Sequence, residues 1–188
     1  MIADTETTGL PNHKKRLENQ PDIIQLYYRI YEIGVDKEMI LKKEYNQYFN
    51  TDMEIEKWAF KAHWITKKDL KDKPLIKDYL EDIIEDIEDV SYIIWHNISF
   101  DIKMLNLAFD KHNQNYSARL KNQLCTMQDT INICKLRWKW PWYKKPSLVE
   151  AYKYIYWEIF KWAHNAKNDV LATEAIFMYL VQEWVYEL

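Results

Sequence analysis

Four acidic residues and one histidine, spread over three segments of the chain, could together perform metal-dependent chemistry. Asp4 and Glu6 lie near the start, Asp101 lies near the middle, and His164 and Asp169 lie near the end. Carboxylates that a fold brings together cost free energy unless a cation neutralises them. Hard divalent cations are well matched to carboxylate oxygens. The set therefore predicts a two-metal hydrolytic site in which the histidine accepts a proton near neutral pH.

The spacing of these residues indicates how they could meet. Residues i and i+2 of a strand point to the same face, so Asp4 and Glu6 can lie side by side while Thr5 points away. Asp101 and Asp169 each lie near a predicted helix start, and side chains there can converge at the edge of a sheet. Taken singly, each acid could instead be a solvated strand end or a charge favoured by a helix N-terminus. Five matched positions are far less easily explained in that way.

Composition and length restrict the class of protein. With 188 residues the chain can build a sizeable core, and we predict a single domain spanning 1–188. Its formal charge of −3 provides no global attraction for nucleic acid, so binding would rely on local patches. Cys125 and Cys134 are too few for a zinc set or a disulfide framework. Without a secretory segment or an apolar run of about 20 residues, we expect a cytoplasmic protein with no membrane contact.

The hydrophobic pattern predicts strands first and then alternating strands and helices. An apolar run over 23–33 predicts a strand, with 45–50 as its antiparallel partner; 91–95 predicts a short buried strand, and 123–126 predicts another short strand. Helices are predicted after Pro74, over 99–112, over 127–136, from Ser147 with a capping box, and over 168–184. This order indicates an α/β sandwich with a mixed sheet.

Three sequence motifs identify a resemblance that covers nearly the whole chain. They are Asp-x-Glu-Thr-Thr-Gly-Leu from Asp4, His-Asn-x-x-Phe-Asp from His96, and His-x-Ala-x-x-Asp from His164. In this order and at these separations they resemble the DnaQ-like DEDDh 3′-5′ exonucleases, the family of the DNA polymerase III epsilon proofreading subunits. A weaker similarity is the turn at His63, although Trp64 stands where the family has glycine.

The resemblance implies a ribonuclease-H-like fold with a central mixed five-stranded sheet flanked by helices. It also implies two divalent cations, Mg²⁺ or Mn²⁺. Asp4, Glu6 and Asp169 would hold the first ion, Asp4 would bridge to the second, and Asp101 would support the second directly or through water. His164 would act as general base on the attacking water, and a nucleoside 5′-monophosphate would leave.

The resemblance further implies a pocket for the terminal nucleotide. Its lining residues by this resemblance are Thr7, Thr8, Gly9, Leu10, His63, His96, Asn97 and Phe100. Glycine permits close approach of the backbone to a ligand, and Leu10 can wedge against a base. Only three residues precede Asp4, so we expect either an unusually short first strand or missing upstream residues.

Three functions are compatible with these motifs. The first is a 3′-5′ exonuclease acting on single-stranded or frayed DNA ends, alone or with a DNA polymerase as partner. The second is an exoribonuclease that trims RNA 3′ ends and prefers a terminal 2′-hydroxyl. The third is a non-catalytic nucleic-acid-binding or polymerase-associated module, for which clustered anions would have no use.

One further segment bears on nucleic-acid binding. Residues 137–145 interleave Trp138, Trp140 and Trp142 with lysines and an arginine. Aromatic rings among cations are typical of surfaces that bind single strands, where bases stack and phosphates pair with cations. The same tryptophans could instead fill the core or contact a protein partner.

Overall fold

The computed structural model describes residues 1–137, 139, 142–158, 160, 165–183 and 185–186, with only the backbone of Leu120. Its centre is a five-stranded sheet with the strand order β3-β2-β1-β4-β5. The strands are β1 (Ile2–Thr7), β2 (Ile23–Ile33), β3 (Met39–Tyr48), β4 (Tyr92–Trp95) and β5 (Asn122–Cys125). β1, β2 and β3 pair antiparallel, whereas β4 is parallel to both β1 and β5. The predicted mixed five-stranded sheet is confirmed.

Strand β2 follows the sequence prediction, whereas β3 departs from it. The apolar run of β2 is almost completely buried in its first half, as expected for a strand inside the sheet. The prediction of a partner over 45–50 was wrong in its bounds, because β3 begins at Met39 and ends at Tyr48. β3 is an edge strand whose first half runs from three apolar residues into the exposed Lys42 and Lys43, so it has no apolar alternation to reveal it.

Helices cover both faces of the sheet. They are α1 (Lys57–His63), α2 (Lys67–Leu70), α3 (Leu80–Glu88), α4 (Ile98–Lys111), α5 (Thr126–Asp129), α6 (Ile131–Cys134), α7 (Leu148–Tyr156) and α8 (Ala166–Gln182). Side chains of β1 alternate between the faces: Ala3 packs in the core beneath α3 and α4, and Ile2 packs in the core beneath α7 and α8. The alternation that buries these two residues on opposite faces also places Asp4 on the α8 face and Thr5 on the α4 face.

Local hydrogen bonds account for two of the helix boundaries. The predicted capping box of α7 is present, since Ser147 and Glu150 each accept from the other's backbone N–H. The single helix predicted over 127–136 is instead two short helices joined at Thr130, whose hydroxyl donates to the Thr126 carbonyl at 2.6 Å. A side-chain hydroxyl that bonds to a backbone carbonyl in this way offers the chain an alternative to the regular backbone hydrogen bonds of a helix. Within the described ranges, no helix has both the length and the apolar character needed to cross a membrane.

Candidate active site

Strand β1 and helix α8 bring three of the predicted metal ligands together. Asp4 and Glu6 share one face of β1, and Asp169 lies in the first turn of α8, which packs over that face. One carboxylate oxygen from each residue lies within 4.8 Å of the others. Oxygen ligands lie about 2.0–2.6 Å from Mg²⁺ or Ca²⁺, so oxygens around one ion are separated by up to about 5 Å. The three carboxylates therefore fit around a single divalent cation.

The position of Asp169 depends on how α8 is held against the sheet. Glu174 of α8 accepts hydrogen bonds from Arg29 at 2.6 Å and from the Tyr31 hydroxyl at 2.5 Å, both on β2. Lys167 donates to Glu44 of β3 at 3.1 Å. These contacts fix the first half of α8 across two strands, and the N-terminal end of a helix also favours a carboxylate there.

Asp101 reaches the site from the other face of the sheet. It is buried in the first turn of α4, and the Thr5 hydroxyl donates to its Oδ1 at 2.7 Å. Among the described residues, the group able to hold one ion contains Asp4, Glu6 and Asp169 but not Asp101. The negative charge of Asp101 nevertheless acts on both Asp4 and Glu6. Asp101 is therefore a close neighbour of the three-carboxylate group.

Burial and mutual repulsion make the acids hold protons more strongly. Burial raises the pKa of Asp4 well above its usual value, and the charges of Asp101, Glu6 and Asp169 raise it further. Burial, followed by the charges of Asp169 and Asp101, raises the pKa of Glu6 to about 8. Burial raises the pKa of Asp101 to about 7 against the opposing effect of the Thr5 hydrogen bond. A set of hard oxygen donors that repel one another at neutral pH suits Mg²⁺ or Mn²⁺.

Hydrogen bonds to Asp22 and a local bond from Thr7 hold the loop after β1. The Thr8 amide donates to the Asp22 carbonyl at 2.9 Å, and the Asp22 amide donates to the Thr8 hydroxyl at 2.9 Å. The Thr7 hydroxyl donates to the Gly9 carbonyl at 2.9 Å. A Cβ added at Gly9 would lie 2.8 Å from Cδ of Glu56. Leu10 extends from this fixed loop into solvent, where it is exposed.

His63 holds the end of β1, where the same loop begins. Its Nδ1 accepts from the Ile65 amide at 2.9 Å, so Nε2 carries the ring proton and donates to the Thr7 carbonyl at 3.2 Å. The imidazole is buried. These contacts support the loop after β1, and the predicted contact of His63 with substrate stays a prediction.

His96 joins three elements at the end of β4. Its ring lies 3.0 Å from the Thr126 hydroxyl and 3.1 Å from the Pro146 carbonyl. Because a carbonyl can only accept, Nε2 donates to Pro146 and Nδ1 accepts from Thr126. Burial lowers the pKa of His96 to about 4, so the ring is neutral. Both nitrogens are engaged within the protein.

Asn97 and Phe100 follow His96 at the start of α4. Asn97 caps α4 in a left-handed conformation with φ 77°, and the Ser99 hydroxyl donates to its side-chain oxygen at 3.3 Å. Phe100 packs against the core beneath α4 while remaining partly exposed. Their predicted role in substrate binding stays a prediction.

Two sequence predictions fall partly or wholly outside the described residues. His164, the predicted general base, lies outside the described residues, and so do Trp138 and Trp140. In the described part of the aromatic segment, the backbones of Arg137 and Tyr143 form an isolated antiparallel β-bridge. The Trp142 side chain is 71% exposed. Trp142 therefore does not fill the core.

The sequence analysis missed two residues near the acids. It treated Thr5 only as a spacer, although the alternation of β1 directs its hydroxyl toward the α4 face and Asp101. It also overlooked Tyr48, which lies across Gln25 from Glu6 in the sheet register. The first could have been found from strand alternation, whereas the second required the register of two strand pairs.

Comparison with known proteins agrees with this geometry. The RNase_T exonuclease family model matches residues 1–177. DNA polymerase III subunit epsilon of Buchnera aphidicola subsp. Acyrthosiphon pisum (strain APS) is 32% identical over 72% of this chain and 53% of its own length. The subunit of the same name from Rickettsia prowazekii (strain Madrid E) is 37% identical over 71% of this chain and 55% of its own length. The chain thus spans about half the length of these curated relatives.

Solved structures share the fold at lower sequence identity. Exonuclease X in complex with 5′ overhanging duplex DNA has a TM-score of 0.57 and 21% identity, covering 97% of this chain and 92% of that one. E. coli Exonuclease I with a dT13 oligonucleotide has a TM-score of 0.71 and 16% identity, covering 95% and 40%. The nuclease domain of 3′hExo, a DEDDh family member, bound to rAMP has a TM-score of 0.69 and 13% identity, covering 97% and 90%. The predicted ribonuclease-H-like fold is confirmed, and the chain belongs to the RNase_T exonuclease family, as the DnaQ-like motifs predicted.

Proposed function

We propose that this protein is a metal-dependent 3′-5′ exonuclease that removes nucleoside 5′-monophosphates from the 3′ ends of single-stranded or frayed DNA. The observation that carries the proposal is the convergence of Asp4, Glu6 and Asp169 within 4.8 Å. These acids come from elements more than 160 positions apart in the sequence. The fold has no structural need for three neighbouring anions, whereas phosphodiester hydrolysis by this family has a clear use for them.

Asp4, Glu6 and Asp169 would hold one divalent cation, and Asp101 would support a second. Bound Mg²⁺ or Mn²⁺ would supply activation of water and neutralisation of charge on the departing 3′ oxygen. The carboxylates keep the ions in place, and the Thr5 hydroxyl orients Asp101. Holding the ligands through buried hydrogen bonds limits their movement during the reaction.

The remaining residues of the chain would bind the strand and move a proton. The pinned loop from Thr7 to Leu10 would hold the terminal nucleotide, with exposed Leu10 against its base. The general base that we propose is His164, by its place in the third motif. It would take the proton of the attacking water as the bond from phosphorus to the 3′ oxygen breaks.

DNA is the substrate that we favour. The relatives at 32% and 37% identity are named as subunits of a DNA polymerase. The fold alone does not distinguish the substrates, because one structural neighbour was solved with a DNA oligonucleotide and another with rAMP. Association with a DNA polymerase is part of the same proposal and rests on the names of these relatives.

Paired DNA and RNA single strands of the same sequence test this function. With Mg²⁺ or Mn²⁺, the protein should shorten a 5′-labelled DNA strand stepwise from its 3′ end and release nucleoside 5′-monophosphates. Faster shortening of RNA would identify an exoribonuclease instead. Asp169→Asn should abolish release, whereas Asp36→Asn, which changes an exposed acid in the β2–β3 turn, should leave it intact. Metal-dependent release from neither strand would point to a non-catalytic binding module.

A further inference from the structure

A cleft of about 380 Å³ lies beside the acidic site, between the end of β3 and the segment that follows α1. Its lining comprises Tyr48, Trp64, Ile65, Asp69 and Lys73. This volume lies within the range of about 300–1,000 Å³ that is common for small-ligand sites. The cleft presents two aromatic rings, one cation and one carboxylate, and that carboxylate, Asp69, accepts hydrogen bonds from the Thr66 amide and hydroxyl.

The sheet register fixes this cleft next to the proposed metal ligands. Glu6 pairs with Gln25, and Gln25 pairs with Tyr48, so the three residues form one line across β1, β2 and β3. Directly paired residues of antiparallel strands point to the same face. With strands about 4.8 Å apart, the backbones of Glu6 and Tyr48 are about 10 Å apart. A strand that ends at the metal ligands would therefore reach this cleft within its last few nucleotides.

The charges that act on Tyr48 agree with this position of the cleft beside the acidic site. Burial raises the pKa of Tyr48, hydrogen bonds with Asn165 and Gln25 oppose that shift, and the charges of Glu6 and Asp69 add to it. Tyr48, which lines the cleft, therefore also lies within the influence of the Glu6 carboxylate.

The chemistry of the cleft matches that of a nucleotide. Trp64 is 69% exposed, and its ring is held edge-on to Phe60 with centroids 5.4 Å apart. Lys73 is exposed. Between positions 61 and 78 the sequence has six lysines and three aspartates, so this region has a charge of +3 in a chain of charge −3. A flat aromatic ring beside a cation is the combination that binds bases and phosphates of single strands.

We propose that this cleft binds a nucleotide upstream of the scissile phosphodiester, with its base stacked on the Trp64 indole and its phosphate near Lys73. The proposal deepens the exonuclease function and rests on it for the direction of the strand. It makes Trp64 a determinant of affinity for single strands, acting beside the site that would hold the terminal nucleotide.

The chain offers a matched pair of variants to test this role. Trp64 ends α1 with φ 60° and ψ 12°, and Trp157 ends α7 with φ 58° and ψ 18°. Both side chains are exposed, Trp157 to 90%, but Trp157 does not line the cleft. Glycine is well suited to the left-handed conformation at both positions, so neither Trp64→Gly nor Trp157→Gly should unfold the protein. Circular dichroism melting of both variants checks this condition.

Binding is measured by fluorescence anisotropy in EDTA, where hydrolysis cannot intervene. The probes are 5′-labelled 12-nucleotide thymidine strands, either intact or with one abasic site at one of the last four positions. Wild-type protein should lose about tenfold in affinity when the abasic site lies at one position upstream of the terminal nucleotide. Trp64→Gly should bind the intact strand about tenfold more weakly and lose nothing further with that abasic strand.

The controls separate stacking from fold and from catalysis. Trp157→Gly should bind like the wild type, and Trp64→Phe, which keeps a ring, should retain most of the affinity. Lys73→Gln should weaken binding of all strands alike and reduce the salt dependence. The proposal is overturned if Trp64→Gly binds like Trp157→Gly, if the abasic effect persists in Trp64→Gly, or if wild-type protein binds no strand. Trp64-dependent binding without hydrolysis in Mg²⁺ or Mn²⁺ would instead count against the exonuclease function alone.

Discussion

The Thr5 hydroxyl donates a 2.7 Å hydrogen bond to Asp101 Oδ1, which joins β1 to the first turn of α4 through the α4 face of the sheet. Thr5, which lies between Asp4 and Glu6 in the sequence, is therefore hydrogen-bonded to Asp101, the fourth predicted acid of the site. Asp101 is buried, so this bond both orients the carboxylate and favours its charged form.

Replacing Thr5 with valine should lower both stability and exonuclease activity. The change keeps the shape of the side chain but leaves a buried carboxylate without its hydroxyl donor, at a cost of about 1–3 kcal/mol. Urea unfolding should report the loss, and the pKa of Asp101 should rise, because the bond from Thr5 lowers it. Thr5→Ser keeps the hydroxyl and serves as the control. Equal stability of the valine and serine variants would contradict this role.

Stability without metal should fall as the pH rises. In the folded chain the pKa of Glu6 is raised to about 8, and that of Asp101 to about 7. An unfolded chain releases these protons near pH 4, so between about pH 4 and 8 the folded state binds more protons than the unfolded state. The free energy of unfolding therefore decreases with pH across this window and levels off above it.

Divalent cations should reverse that loss. Because protons compete with metal for the same oxygens, Mg²⁺ or Mn²⁺ should raise the melting temperature more at pH 8 than at pH 5. Differential scanning fluorimetry in EDTA and in each metal gives the comparison. An equal rise at both pH values would mean that the acids do not form the metal site.

Asp4→Asn should make the metal-free protein more stable while removing its activity. Asp4 experiences repulsion from Asp101, Glu6 and Asp169, and an amide removes that repulsion. We expect the melting temperature in EDTA at pH 8 to rise by about 2–4 °C, equivalent to about 1 kcal/mol for a chain of this size. The same variant should lose the stabilisation by Mn²⁺ and the release of nucleotides. Nucleotide release at the wild-type rate would remove Asp4 from the site.

The metal-ligating residues could be predicted from the sequence better than the residues that hold the site in place. Strand alternation was sufficient to pair Asp4 with Glu6, and the helix predicted over 168–184 placed Asp169 near a helix start. The packing of α8 over β1 was not predicted, because no local pattern states which face of a sheet a helix covers, and the resemblance implied only that Asp169 would share an ion with Asp4 and Glu6. The supporting bonds of His63 and His96 depend on ring orientations set by Ile65 and Pro146, and no spacing rule encodes them. The first half of β3 was missed because an exposed edge strand has no apolar alternation.

Glu174→Ala should loosen α8 and thereby displace Asp169. Glu174 and Arg29 are largely buried, with side-chain exposures of 23% and 17%, and the variant leaves Arg29 and Tyr31 without this acceptor. We expect a loss of about 1–3 kcal/mol in the free energy of unfolding, together with weaker stabilisation by Mn²⁺. Glu32→Ala is the matched control, because Glu32 pairs with Lys42 at exposures of 61% and 50%. An exposed pair contributes about 0–1 kcal/mol, so similar losses in both variants would contradict a special role for Glu174.

His164→Asn should slow turnover without weakening the metal site. The residue lies outside the described part of the chain, and its role follows from its place in the third motif. Loss of a general base costs about 10²- to 10⁴-fold in rate, and the rise in rate with pH that its deprotonation contributes should disappear with it. Stabilisation by Mn²⁺ should stay at the wild-type level, since the carboxylates are intact. His13→Asn, which changes an exposed histidine, controls for general effects of the substitution. An unchanged pH–rate profile in His164→Asn would show that another group accepts the proton.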